Sequence, residues 1–307
     1  MKTFLLKIAL FFALVAAIDV CCGWGFDFLR SKARGGQTYK NEYLNRVCTD
    51  DILILGSSKA DHHYVPIIFE DSLGISCYNA GEMGCGIIPA YTRYKMVSKR
   101  HKPKVVIYEL TPGYDYLRDE GYSQYLGVIR PYANDNVVKD IYLDFSEDLE
   151  GVRLLSSMYR NNSKLVANVK DILTPPDNYK GYEPLYGSLS PNTKQTKIAD
   201  KAVEAINIDS LKLHYMERLI IDTKQDGVQL VFAISPAYGI LENKFNSEYS
   251  PAFELCGKYD IPLMDNSKNS AFMGKNELFQ DKTHLNHHGA VLFSQMMAAQ
   301  LKRDLKE

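Results

Sequence analysis

Five short stretches of the chain, 51–58, 75–80, 104–110, 228–234 and 261–264, are built around consecutive rather than alternating apolar residues, as in Ile52-Leu-Ile-Leu55, Val105-Val-Ile-Tyr108 and Leu230-Val-Phe-Ala-Ile234. An unbroken apolar run of that length suits a strand covered on both faces. Between them lie segments with helical spacing of apolar residues, over 60–73, 89–100, 209–225, 251–259 and 289–301. In the third of these, Leu211, Tyr215, Leu219 and Ile220 recur at helical intervals. Strands alternating with helices predict an α/β fold, a three-layer α/β/α sandwich on a central parallel five-stranded sheet with right-handed crossovers. Ligands of such sheets bind beyond the carboxyl ends of the strands.

Two regions break that rhythm. Residues 115–208 are rich in Tyr, Asn, Asp and Pro and too long for a simple loop, which predicts a largely helical insertion over the C-terminal edge of the sheet, a place for a substrate lid. Tyr182 and Tyr186 are candidate contacts there, and a structural role serves either ring equally well. At the other end, Ile8 to Ile18 is wholly apolar after Lys2 and Lys7, and the apolar character continues past Asp19 to Phe26. Residues 5–26 are long enough to cross a bilayer if Asp19 is tolerated. Val15-Ala16-Ala17 offers a signal-peptidase site as the rival. The expected organisation is a membrane anchor or signal segment with a basic flank over 1–34, a polar linker over 35–49 and the α/β domain over 50–307. The domain is then exported, either anchored or secreted after cleavage.

The first strand ends in Gly56-Ser57-Ser58, where a glycine permits a sharp turn that lifts a serine hydroxyl above the sheet edge. Far downstream, Asp281-Lys-Thr-His284 places a carboxylate and an imidazole three residues apart just before the last helix. Ser58, His284 and Asp281 therefore make a candidate nucleophile, base and orienting acid. After the second strand, Asn79-Ala-Gly81-Glu-Met-Gly84-Cys-Gly86 supplies glycines whose backbone N–H groups can face a developing oxyanion. A plain strand-to-helix turn accounts for them as well.

These blocks, in this order, resemble the SGNH/GDSL hydrolases, over roughly residues 50–110 and 226–303. The resemblance implies a flavodoxin-like sheet, Ser58 as nucleophile with Asp281 and His284, and an oxyanion hole of the Ser58 and Gly84 amides, Gly81 being the fallback. Ser57 stands where the family has Asp, and it is a second candidate nucleophile. The family's third block carries an Asn, whereas Thr111-Pro-Gly-Tyr114-Asp115 has none, so Tyr114 is a candidate replacement donor. The activity implied is that of a serine esterase or O-acyltransferase acting on an acylated cell-surface carbohydrate or another ester. The alternative is a membrane-anchored binding or assembly protein that has kept the fold and lost turnover.

Composition removes other classes. With a formal net charge of −1, no basic field argues for nucleic acid. The six cysteines form no CxxC pair or zinc spacing, so neither a metal nor a cofactor is expected. Cys77 reads as a small core residue and Cys85 as a neighbour of the site. His62 and His63 stand side by side without an evident third metal ligand, and packing or solvent-facing roles suit them better. The 21 tyrosines suit half-buried packing better than a sugar-stacking surface.

Overall fold

The computed structural model describes residues 1–191, 193, 206–238 and 244–304. In chain order the elements are α1 (Lys2–Lys32), α2 (Gly36–Arg46), β1 (Ile52–Gly56), α3 (Ser58–His63), α4 (Pro66–Leu73), β2 (Cys77–Asn79), α5 (Ile87–Ser98), β3 (Val105–Glu109) and α6 (Pro112–Asp115). There follow α7 (Ser123–Ile129), α8 (Asn136–Asp144), α9 (Glu150–Arg153), α10 (Ser157–Arg160), α11 (Leu165–Leu173), α12 (Ser210–Gln225), β4 (Gln229–Ile234), α13 (Lys244–Tyr259), β5 (Leu263–Asp265) and α14 (His287–Asp304).

The contacts divide the chain into two units, Met1–Val47 with Tyr122–Asp177, and Cys48–Gly121 with Asn178–Glu307. The second unit holds the sheet. Its five strands are all parallel in the order β2-β1-β3-β4-β5, with Leu53 opposite Tyr78 and Gly56 opposite Glu109. That is a doubly wound, flavodoxin-like order whose crevice lies at the carboxyl ends of β1 and β3. On one face Ile52, Ile54, Ile107 and Val231 belong to a core with Tyr64, Phe69, Phe293 and Met297. On the other, α5 and α12 pack on each other and on the sheet. Cover on both faces explains why the apolar residues of β1, β3 and β4 run consecutively rather than in alternation.

Local chemistry sets the departures from the sequence reading. The helix expected over 60–73 breaks into α3 and α4 because Pro66 pushes the preceding Val65 into extended backbone. The helix expected from Pro251 starts earlier, at Lys244, and carries Pro251 inside it. Most of the expected linker is the helix α2. Nor is the expected insertion a single body. Tyr122–Asp177 is helical and clusters with the N-terminal helices, whereas residues from Asn178 onward belong to the sheet unit. From 178 to 190 the chain is a strap with no helix or strand that turns at Tyr179–Tyr182; the Lys180 carbonyl accepts from the Asn79 N–H at 2.9 Å, and the Leu189 N–H donates to Phe279 O at 2.8 Å. Residues 192 and 194–205 of the expected insertion lie outside the described residues.

The turn that ends β1 is set by Gly56. Its φ is +137°, and a Cβ there would lie 2.7 Å from the Glu109 carbonyl oxygen on the neighbouring strand. Gly56→Ala is expected to lower unfolding free energy by about 2–3 kcal/mol, from strain plus overpacking, with a matching fall in the urea midpoint and an unchanged slope.

Candidate active site

Ser57 is the N-cap of α3 and Ser58 its first residue, so the turn at Gly56 delivers Ser58 to the carboxyl edge of the sheet. Ser58 Oγ lies 2.8 Å from His284 Nε2, and His284 Nδ1 lies 2.9 and 3.1 Å from the two Asp281 carboxylate oxygens. A carboxylate only accepts, so the His284 Nδ1–H donates to Asp281 and Nε2 is left to accept from the serine. The three residues singled out in the sequence thus meet across 226 residues of chain. Asp281 also accepts the Thr283 and His284 N–H groups at 2.7 and 2.8 Å. Partial burial raises its carboxyl, but these bonds and the His284 ring outweigh that and hold it below the usual carboxylate value.

Ser57 is brought to the site but not to the base. It is fully buried, and its Oγ accepts the Ser58 N–H at 2.6 Å. One expected oxyanion donor is therefore engaged by its own neighbour. Gly81 does not serve as the fallback: its N–H donates to Asn79 Oδ1 at 2.9 Å, and a Cβ at this position would lie 2.5 Å from the Asp61 N. Gly81 is glycine because the loop presses on α3. Gly84, with φ +69°, lies in the turn closed by the Cys85 N–H to Glu82 O, and its N–H has no partner among the described residues. The Glu82 N–H donates to Gly56 O at 3.1 Å, and buried Arg93 donates to Ala80 O and to the Glu82 carboxylate, so this loop is fastened to β1 and α5. Tyr114 lies in α6, where its backbone abuts Gly86. In the same turn Asp115 accepts from the Tyr108 hydroxyl and the Thr111 N–H, and burial pushes its carboxyl up to about 7.

The sequence reading missed the groups that hold this constellation. Fully buried Asn79 donates to Ala60 O and Tyr64 O at 2.7 and 2.9 Å, locking the second loop to α3. Below the triad runs a second relay. The Leu285 N–H donates to His63 Nε2 at 3.0 Å, so the neutral His63 ring carries its proton on Nδ1, 2.8 Å from Ser235 Oγ; that hydroxyl donates to Glu109 Oε1 at 2.6 Å. Burial first, then the charges of Lys59, His284 and His62, hold His63 well below its ordinary value. Burial raises Glu109 against the opposing pull of Lys59 and its hydrogen bonds from Ser235 and Tyr64. The adjacent histidines in the sequence are the available signal, but the partners of His63 lie more than 170 residues away.

Asn286 fastens the far side of the His284 turn: its Nδ2 donates to Gly187 O and Glu277 O, and its Oδ1 accepts from the Gly289 N–H. The strap adds Leu185 O, which accepts from the His287 N–H. Tyr182 is buried with its hydroxyl 2.9 Å from His287 Nδ1, a packing role, while Tyr186 is exposed beside the same ring. His62 packs edge-on to His284, and its Nδ1–H donates to Glu183 O at 2.8 Å. Asp61, His62 and Glu183 bring ligand-type atoms within 4.8 Å of one another, so a third group does stand beside the histidines. All six cysteines are free thiols, Cys77 and Cys85 both buried.

No family model matches the sequence, and no curated protein matches it. Solved structures with a similar chain path include a psychrotrophic esterase from a Pseudoalteromonas species, at 14% identity and TM-score 0.43, covering 83% of this chain and 98% of that one. Others are an acetyl xylan esterase, at 14% identity and TM-score 0.40 over 81% and 98% of the two chains, and a family two carbohydrate esterase from Clostridium thermocellum, at 10% identity and TM-score 0.40 over 83% and 64%.

The relay under the triad has a pH signature. An imidazole held below its unfolded value of about 6.5 contributes stability that is present above that pH and lost as pH falls, by up to about 1.4 kcal/mol per pH unit. His63→Ala is expected to cost about 1–3 kcal/mol at pH 7.5, through the unpaired Leu285 N–H and Ser235 hydroxyl. Urea melts at pH 7.5 and 5.5 should then show a smaller acid loss in the variant than in the parent chain.

Proposed function

We propose that this chain is a serine ester hydrolase or O-acyltransferase of the SGNH type. The observation that carries the reading is the continuous line of hydrogen bonds from Ser58 Oγ through His284 to Asp281. A serine hydroxyl is a weak nucleophile at neutral pH and needs a base within about 2.6–3.2 Å, which His284 Nε2 supplies. Ser58 Oγ attacks the ester carbonyl carbon while its proton passes to His284 Nε2; the carbonyl C–O bond to the alcohol then breaks, and that proton returns to the departing oxygen. Asp281 stabilises the imidazolium formed between these steps. The acyl group is left on Ser58, and water or a second hydroxyl, activated by the same base, removes it. The Gly84 N–H is the available oxyanion donor, and Ser58 N–H joins it once the Ser57 hydroxyl turns away.

The acyl ester is one on a cell-surface carbohydrate or polymer. The resemblance to exported, anchored SGNH hydrolases suggests this substrate, and an N-terminal helix long and apolar enough to cross a membrane is compatible with it; the exported side is part of the same proposal. N-terminal sequencing of the mature protein distinguishes an anchor, which keeps residue 1, from a signal cleaved near Ile18. One observation favours an inactive binding protein instead: the Ser58 amide is already occupied by Ser57 Oγ.

Fluorophosphonate labelling separates the two. The parent chain is expected to label at Ser58, and Ser58→Ala to abolish the signal. With an aryl acetate substrate, Ser58→Ala and His284→Ala should each lower kcat by about 10⁴–10⁶-fold and the double variant should add little, because triad losses are not additive. Labelling that persists in Ser58→Ala, or a parent chain that never labels, would sink the hydrolase reading.

A further inference from the structure

The unit formed by the N-terminal helices and Tyr122–Asp177 is inverted around α1. Beside an apolar core that includes Leu44, Ile141 and Leu154, Arg30, Glu42, Asn161, Asn168 and Asp171 are buried, whereas several large apolar side chains near α1 face outward. The inversion is plainest on α11. Its buried residues are Asn168 and Asp171, the second of which accepts the Thr38 N–H at 2.9 Å. Its exposed ones include Leu165, Val166, at 80%, Val169, and Leu173, at 82%. At 100° per residue those four share one arc of about 100° on the side away from the polar pair. Leu155 and Met158 on and before α10 are exposed as well, as are Trp24, at 70%, and Phe28, one turn apart on α1. Both α10 and α11 pack against α1.

The geometry of α1 says what covers this face. Residues 2–18 are exposed all round, and Asp19 is the first held by the body, accepting from Ser156 Oγ and the Ser157 and Met158 N–H groups at 2.6–2.9 Å. A span needs about 20 residues, so one that begins at Lys2 ends beyond Asp19, and later still if Lys7 reaches back to the headgroups. The helix is unbroken from Lys2 to Lys32, so no linker gives slack between span and body. The bilayer boundary therefore falls where α10 and α11 flank α1, and Asp19 enters that zone with its carboxylate already satisfied. At Gly23 a Cβ would lie 2.7 Å from Ser157 Oγ, so glycine there lets α10 lie close against α1. From Arg153 to Leu173 the charged residues are Arg153, Arg160, Lys164, Lys170 and a single, inward-facing acid, Asp171, a balance that suits anionic headgroups.

We propose that the outward face of α10, α11 and the adjoining side of α1 lies in the headgroup layer of the membrane that α1 enters, so that the first unit is a bilayer-embedded platform. The proposal rests on the anchor reading of residues 1–18. Trp24 is the only tryptophan, which permits a clean reporter. The full-length chain carrying Trp24→Phe with Val166→Trp, or Trp24→Phe with Leu173→Trp, is reconstituted into phosphatidylcholine/phosphatidylglycerol vesicles, with and without bromines on the upper acyl chain. Both reporters are expected to emit to the blue of a water-exposed indole, to lose most of their intensity in brominated lipid and to resist aqueous iodide. Iodide quenching without bromine quenching would overturn the proposal. So would protection from both quenchers with cross-links between copies, which would make the face a protein interface. Two reporter sites keep the test decisive if one variant misfolds. Extraction of the chain by alkaline carbonate would overturn the anchor and the platform together; a chain that resists extraction but escapes the bromines would lose only the platform.

Discussion

The hydrogen bond from the Leu285 N–H to His63 Nε2 joins the helix that carries Ser58 to the turn that carries His284. Both ends sit in fully buried surroundings, where an unpaired amide or ring nitrogen costs free energy and the pairing is therefore strongly enforced. Because His63 lies on α3 only five residues after Ser58, its ring fixes the height of the His284 turn relative to the serine. The tautomer that this bond imposes also decides what lies beneath, for it directs the Nδ1–H at Ser235 and, through it, at Glu109. A buried carboxylate at the end of β3 thus orients a histidine that touches no part of the candidate triad through its own side-chain hydrogen bonds.

Around that bond the site is built from loops with little freedom. The Gly56 turn is set by close approach to β3, the Gly81 loop by Asn79 and Arg93, and the His284 turn by Asp281, Asn286 and the strap from 178 to 190. Preorganisation of this kind matters for acyl transfer, since a nucleophile and base held at hydrogen-bonding distance need little reorganisation as charge develops. In the turn after β3, the Asp115 carboxylate holds the Thr111 N–H and the Tyr108 hydroxyl. That bonding stabilises the turn without presenting a side-chain amide to a ligand.

The surroundings of α1 depart from the burial rule that the sheet unit follows. The sheet unit buries apolar strands on both faces, as a water-soluble core requires. Around α1, the other unit buries Arg30 with Glu42 and Asn161, Arg30 also reaching the exposed Asp27, and turns aliphatic residues outward. Such a cluster is costly to desolvate unless every charge is paired. Outward aliphatic side chains are equally out of place in water.

What the sequence determined by itself is what depends on neighbours along the chain: the five strands, from unbroken apolar runs; the turn at Gly56, from a glycine before two serines; and the Asp281–His284 pair, whose separation fits one turn. The order of these blocks was enough to align Ser58, His284 and Asp281 as a set. Tertiary structure alone decided which groups serve them. His63, Ser235 and Glu109 carry no mutual spacing to read, because their bonds are made between separate elements. The use of Gly81 for packing, of Ser57 as a cap and of Tyr182 as a partner of His287 likewise depended on which backbone came to lie beside each. So did the division of the expected insertion, for Pro and Tyr content marks irregular chain but does not say which surface that chain will cover. Local patterns record the free energy of local conformations and of burial; the pairing of polar groups is settled only when distant segments meet and each donor must find an acceptor.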